Sequence, residues 1–389
     1  MRSFLLALVP AALLLGACSE PSTQPTTAAP LPLKPQAGAP TTASGKYRVA
    51  LLLPLSGRAA ALGQSMQQAA EMSLFDSGAK DLALATYDSG ETGDTAVQAY
   101  TKARQDGAAL VLGPLFGPSA TALAPLVRQG GANVIAFSND EHAAQPGIWV
   151  MGIAAPPQVR RVVDYALSTG IKRFAVLAPQ TAYGQQMAGV LQTRVEQRGG
   201  KVVGVEMYNP QSLDLTAVAK RLADEAAGEG KVALLVPVAP PALSTVLTSL
   251  SAAGLDSRNM QLIGTGVWDV PGIGGDPQLR GAWYAAPDPG SRSDFERRFI
   301  ATYGRPPQRL ATLAYDAVAL AGRLARHKSG GDFSAEAITN PNGWTGVDGP
   351  FRLLPDGRCE RSLAVIEVQG DRGVVRSPAP SSFAGFATD

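Results

Sequence analysis

From Tyr47 onward the chain alternates between two hydrophobic rhythms. Tyr47–Leu53, apolar except for Arg48 and closed by Pro54, reads as a strand buried on both faces. Over Gly63–Phe75 the apolar positions Met66, Ala69, Ala70 and Leu74 fall at helical spacing instead. The pair then repeats as strand Leu82–Tyr87, helix Thr95–Gln105, strand Ala108–Leu112, helix Ser119–Gln129 and strand Asn133–Phe137. After a break at Gln145–Met151 a second series begins. Its predicted helices are Pro157–Ser168, Gln185–Gln197, Leu215–Ala227 and Ala242–Ala253. Its strands are Arg173–Ala178, Lys201–Tyr208, Lys231–Pro237, Met260–Gly264 and Ala282–Ala285. Helices near Arg292–Tyr303 and Arg309–Arg326 follow. Pro350–Leu354 and Ser362–Val368, separated by Pro355-Asp356-Gly357-Arg358, read as an antiparallel hairpin. Short buried strands joined by helices predict an α/β fold with parallel sheets flanked by helices and right-handed crossovers, the two series forming two lobes.

The first 45 residues follow neither rhythm. Arg2 precedes a 12-residue apolar run, Phe4–Leu15, broken only by Pro10. That fits a secretory leader, whose apolar part is about 7–15 residues, and is too short to span a bilayer. The run leads into Leu15-Gly16-Ala17-Cys18, and the segment resembles a bacterial lipoprotein signal. The resemblance implies removal of residues 1–17 and acylation of Cys18 at sulfur and amine; the alternative is an ordinary leader cut near Ala17, leaving Cys18 a free thiol. Ser19, standing where Asp would hold a lipoprotein back, implies onward sorting to the outer membrane. Of the 27 residues Ser19–Gly45, 21 are Pro, Thr, Ala, Ser or Gly, too few bulky groups to offset the entropy of ordering. Residues 18–45 are therefore a disordered tether, reaching at most roughly 80 Å as polyproline II, with the lipid on Cys18 that the resemblance implies.

Length and charge narrow the function. At 389 residues the chain exceeds one ordinary core. Thirty-four basic against 32 acidic side chains, interspersed, leave no basic stripe for nucleic acid. Two cysteines and two histidines exclude a disulfide framework and most zinc sites. With Cys18 lipidated, Cys359 is a lone thiol, expected buried and inert. There is no G-x-S-x-G, no G-x-x-x-x-G-K-[ST], no H-E-x-x-H and no C-x-x-C, and Gly264-Thr265-Gly266 lacks the third glycine of a dinucleotide fingerprint. Asp140-Glu141-His142 reads as a solvated turn, and His327 lies in a basic helix end. No catalytic set, metal or cofactor is expected.

In α/β sheets ligands sit beyond the carboxyl ends of the strands. Here those ends carry Pro54-Leu55-Ser56-Gly57, Asp88-Ser89-Gly90, Gly113-Pro114-Leu115-Phe116-Gly117, Phe137-Ser138-Asn139-Asp140 and Tyr183-Gly184. Val49-Ala50-Leu51-Leu52-Leu53-Pro54-Leu55-Ser56-Gly57, with Leu62-Gly63, Gly113-Pro114, Tyr183-Gly184 and Tyr315-Asp316-Ala317, resembles type I periplasmic binding proteins of the leucine/isoleucine/valine-binding clan. The resemblance implies two Rossmann-like lobes joined by three hinge crossings: residues 46–151 with 287–331, and 152–286 with 332–389. Within the clan, Gly113–Gly117, Ala136–Asp140, Trp268-Asp269 and Gly349-Pro350-Phe351-Arg352 look most like the penicillin-binding-protein activator lipoproteins. Those carry the fold on an outer-membrane anchor and stimulate a peptidoglycan synthase by contact. Some also carry a helical-repeat domain ahead of the fold, where this sequence offers only the tether.

Clan members that import amino acids hold the carboxylate with a Ser, a Thr and backbone N–H groups, and the ammonium with an acid. By the same resemblance Gly117 stands at the Ser position, Asp140 at or near the Thr and Gly266 near the acid, while Tyr183 matches the cleft tyrosine. Asp140 would repel a carboxylate. The cleft candidates are Ser56, Gly117, Ser138, Asn139, Asp140, Tyr183 and Asp269. The resulting expectation is a non-enzymatic, lipid-anchored regulator of peptidoglycan synthesis whose partner is a penicillin-binding protein. The alternative is the solute-binding component of an ABC importer, with a permease partner and an amino-acid- or muropeptide-like ligand.

Overall fold

The structure, a computed structural model, describes residues 45–383 except 213, 257, 327–330 and 371. The expected leader, Cys18 and the tether as far as Ser44 lie outside the described residues, as does His327.

Two parallel sheets carry the fold. The first is built from β1 (Tyr47–Leu53), β2 (Leu82–Asp88), β3 (Leu110–Leu112), β4 (Asn133–Ala136) and β5 (Ile148–Val150), in the order β2-β1-β3-β4-β5. From Val49 on β1 is continuous in apolar residues because both its faces are covered: Val49, Leu51 and Leu53 enter one core, Ala50 and Leu52 the other. α1 (Ala60–Asp76) and α2 (Gly93–Gln105) connect its strands. The predicted helix over Ser119–Gln129 is two, α3 (Gly117–Ala122) and α4 (Ala124–Arg128), because Pro125 has no N–H to continue the ladder. The stretch at Gln145–Met151, read as a break, contains β5, which pairs with β4. Its three residues are too few to show a period.

The second sheet runs β15-β14-β10-β9-β8-β6-β7. Its parallel strands are β6 (Arg173–Pro179), β7 (Lys201–Tyr208), β8 (Val232–Leu235), β9 (Met260–Gly264) and β10 (Trp283–Ala286), linked by α5 (Ala155–Ser168), α6 (Ala182–Gln197), α7 (Thr216–Ala226) and α8 (Ala242–Ala252). The antiparallel pair β14 (Ala364–Gln369) and β15 (Arg372–Ser377) extends one edge. α9 (Pro289–Tyr303) and α10 (Ala311–Arg326) return to the first lobe, where Leu313, Ala317, Leu320 and Leu324 of α10 fill the core beneath β1. Each such buried leucine or valine is worth about 1.5–3 kcal/mol.

Two expectations near the C-terminus are corrected. The hairpin partner of Pro350–Leu354 is not Ser362–Val368: β12 (Gly349–Leu353) pairs with β13 (Cys359–Arg361), beside β11 (Trp344–Gly346), while β14 joins the second sheet. Nor does 332–389 belong to the second lobe as a block. After α11 (Ala335–Ile338), Trp344, Phe351 and Leu353 bury with Phe333 and Ile338 in the core of β1 and α10, so the chain crosses between Arg361 and Ala364. Beyond β15 it turns back. Ser362 Oγ donates to Pro380 O at 2.6 Å, and buried Phe383 packs on Gly343 beneath the Arg352 guanidinium. Cys359 is a buried free thiol whose pKa burial pushes up to about 11.

Candidate functional site

The strand ends of the first lobe hold two separate polar groups. After β1, exposed Ser56 stands by Asp88 at the tip of β2, whose Oδ1 accepts from Leu55 N and Gly90 N, each at 2.9 Å. Burial opposes ionisation there, yet donation from Ser56 and these N–H groups holds the Asp88 carboxyl below its ordinary value. After β3, Gly113 adopts φ +97° with its α-hydrogen against Leu52 O, an approach only glycine permits. The loop that follows meets the loop after β4. A Cβ on Gly117 would lie 2.8 Å from Asp140 Oδ2 and 2.9 Å from its Cβ. Asp140 N donates to Oγ of buried Ser138 at 3.0 Å; its Oδ1 accepts from His142 N at 3.0 Å and lies 2.8 Å from His142 Nδ1. Asn139 is exposed.

In the second lobe Tyr183 sits in the first turn of α6, where Thr181 Oγ1 caps the helix by accepting from Gly184 N. The Tyr183 hydroxyl and Oγ1 of buried Thr265, beyond β9, are 2.8 Å apart, and burial raises the phenol pKa. Gly266, which the resemblance sets near the clan's ammonium-holding acid, donates its N–H to Gln158 Oε1 at 2.6 Å.

Asp269 is placed differently. Its Oδ2 accepts from Arg292 Nη1 on α9 and from Arg309 Nε ahead of α10, each at 3.1 Å. Arg309 Nη1 also reaches Asp348 Oδ1 at 3.1 Å, and Thr312 Oγ1 donates to Asp348 Oδ2 at 2.6 Å. Asp348 is fully buried; against that desolvation, Arg309, Arg361 and Thr312 keep its carboxyl below the ordinary range. One acid from the second lobe is thus joined to an acid of the first through two shared guanidinium groups. Next to them Asp316 accepts from Val347 N at 2.7 Å, and Arg361 Nη1 lies 3.9 Å away. Burial, only partly offset by Arg361, pushes Asp316 up to about 7.

The structure therefore brings Gly117, Ser138, Asn139 and Asp140 together. Among the described residues no hydrogen bond or ion pair joins them to Ser56, Tyr183 or Asp269. Sequence reasoning missed Arg292, Arg309 and Asp348; only the Tyr315-Asp316-Ala317 and Gly349-Pro350 motifs pointed near them. Among the described residues no group of three or more His, Cys, Asp or Glu is placed to hold a metal ion, and no helix is long and apolar enough to cross a membrane.

Comparison with known proteins bears on this geometry. An uncharacterised protein of Rickettsia prowazekii is 25% identical over 171 residues, covering 43% of this chain and 46% of its own length. The penicillin-binding protein activator LpoA of Glaesserella parasuis is 26% identical over 175 residues, 44% of this chain and 28% of that protein. The chain thus spans less than half the length of these curated relatives. Among solved structures, a branched-chain amino acid ABC transporter protein of Rhodospirillum rubrum superposes with a TM-score of 0.75 at 21% identity, over 85% of this chain and 99% of that one. At that identity the likeness is one of fold: mixed α/β, two lobes, parallel sheets flanked by helices. Residues 46–373 match the family described as periplasmic binding protein, and the chain belongs to that family.

Proposed function

We propose that the protein is a non-enzymatic, lipid-anchored envelope protein that regulates peptidoglycan synthesis by contact with a penicillin-binding protein. The observation that carries this reading is the contact between Gly117 and Asp140. By the resemblance this is the corner that receives a substrate carboxylate in amino-acid importers; here a carboxylate of the chain itself lies there, and like charges so close disfavour each other. Asp269, the other acid among the cleft candidates, is already held by Arg292 and Arg309. The partial likeness to LpoA supports the same reading. In it Cys18 carries the lipid, and Ser19 directs the protein to the outer membrane.

The test is a pull-down of a peptidoglycan synthase from detergent-solubilised envelopes, run beside a thermal-shift screen of amino acids and muropeptides. The expected result is a retained synthase and a flat screen. Stabilisation of about 2.7 kcal/mol by an amino acid at about 100 times its Kd, with no synthase retained, overturns the reading. Labelled palmitate should enter the wild type and not Cys18→Ala.

A second reading, the solute-binding component of an ABC importer for branched-chain amino acids or a related small polar ligand, is favoured by one observation. Tyr183 and Thr265 form a half-buried hydroxyl pair at the strand ends. Under it Ser56, Gly117, Ser138, Asn139, Asp140, Tyr183 and Asp269 contribute the ligand cleft, and Asp140→Ala alters solute affinity. Under the first reading that variant leaves synthase binding intact.

A further inference from the structure

A groove of about 1170 Å³ separates α5 and α6 from the turn that joins β12 to β13. None of the seven strand-end candidates lines it, and it exceeds the roughly 300–1,000 Å³ of ordinary small-ligand sites. Its walls belong to different lobes. α5 and α6 cover the second sheet; the opposing turn is fastened to the first, where Trp149 Nε1 donates to Leu354 O at 2.8 Å and Val150 N to Gly357 O at 2.9 Å. An occupant touches both lobes at once.

The lining is cationic: Arg160, Arg161, Arg194, Arg198, Arg358 and Arg361 face four carboxylates. Three of those carboxylates are already engaged. Asp164 is bridged by Arg194 at 2.7 Å and Arg198 at 3.2 Å, Asp356 by Arg358 at 2.7 Å, and Glu360 by Arg352. Two guanidinium groups, half-buried Arg161 and buried Arg361, have no carboxylate within hydrogen-bonding distance. Arg161 donates only to neutral oxygens, Leu363 O at 2.9 Å, Ser377 Oγ at 2.8 Å and Pro378 O at 3.2 Å. Arg361, 7% exposed, reaches Met151 O at 3.4 Å and pairs with Asp316 only across 3.9 Å, so that its Nε and Nη1 are buried without a hydrogen-bond acceptor. Buried N–H donors of a cation that lack hydrogen-bond acceptors, as on Arg361, are costly, and an entering anion relieves that cost with charge-assisted bonds. Along one wall Gln186, Thr193 and Gln197 stand exposed on a single face of α6. They cover about 16 Å of helix, the reach of roughly five extended residues. Amide and hydroxyl side chains in such a row supply both donors and acceptors for a peptide backbone.

We propose that this groove binds an extended acidic peptide, its carboxylates seated on Arg361 and Arg161 and its backbone lying along the Gln186–Gln197 face of α6. The proposal goes beyond the regulatory reading and does not require it, since the site is defined on the isolated protein.

The experiment is fluorescence anisotropy of labelled hexaglutamate with the full chain, compared with labelled hexaglutamine and an oligogalacturonate. The proposal expects saturable binding of hexaglutamate alone, weakening steeply between about 50 and about 300 mM salt. Because Arg361→Met removes a buried group and can unfold the chain, the decisive variants are at exposed Thr193. Thr193→Glu should weaken hexaglutamate by at least about tenfold and Thr193→Arg should tighten it. Hexaglutamate binding no better than hexaglutamine, oligogalacturonate binding in its place, or indifference to both Thr193 variants overturns the proposal. A failed synthase pull-down with hexaglutamate binding intact sinks the regulatory reading and leaves the groove standing.

Discussion

Asp140 lays its carboxylate across the bare α-carbon of Gly117, so that Oδ2 stands 2.8 Å from where a side chain there would begin. The two residues exclude one another's alternatives: glycine at 117 is the condition for an acid at 140. Gly117→Ser should therefore cost about 1–3 kcal/mol through overpacking. In Gly117→Ser/Asp140→Ala much of that loss should return, a non-additivity that urea titration of the four proteins reads directly. Additive losses would mean that the two loops do not meet.

The ionic set across the lobes makes a second prediction. Arg309→Met removes the guanidinium nearest to fully buried Asp348 and leaves Arg292 at 3.8 Å as the remaining partner on that side. Breaking one member of a buried pair costs about 3–5 kcal/mol, mostly because the other charge is stranded. Arg309→Met with Asp348→Asn should lose less than the sum of the two singles, measured as denaturation midpoints at constant m.

Asp316 gives stability a pH dependence of unusual sign. Burial raises its pKa from the ordinary 3.8 to about 7, so the folded chain holds this proton more tightly than the unfolded chain does. Between about pH 4 and 7 the folded state therefore binds more protons, and stability falls as pH rises through that window. Carboxyls held low, such as Asp88 and Asp348, act oppositely, and only below pH 3.8. Subtracting the Asp316→Asn profile from that of the wild type should isolate a negative slope; a zero or positive difference contradicts the assignment.

Cys359 should be silent to thiol reagents in the native state. It is 7% exposed, and burial lifts its pKa to about 11, so little thiolate exists at neutral pH. With Cys18→Ser leaving one thiol, a disulfide dye should report none until denaturant is added. Prompt labelling would show that the β12–β13 pair opens.

The parallel core was legible because its strands are covered on both faces, which writes them as apolar runs; Val49–Leu53 needs no partner to be recognised. β13 was not, since Cys359-Glu360-Arg361 carries two charged residues, and the longer apolar run after it drew the hairpin assignment away. Local pattern records that a segment is a strand and not which strand it joins. The site followed the same division. Gly117 and Asp140 were flagged by the residues expected in their places, while Arg292, Arg309 and Asp348 come from three distant segments with no spacing to betray them. Asp269 was found, but its two guanidinium partners, and so its neutralised state, were invisible.

The return of the chain after β15 has a practical consequence. A shortened version ending at Ser377 would keep every strand and helix of the described residues, yet would lose Phe383 from its seat on Gly343 beneath Arg352. The damage would surface far from the cut: amide exchange would quicken around Gly343 and β12, in the opposite half of the molecule, while β15 itself stayed protected by its pairing with β14.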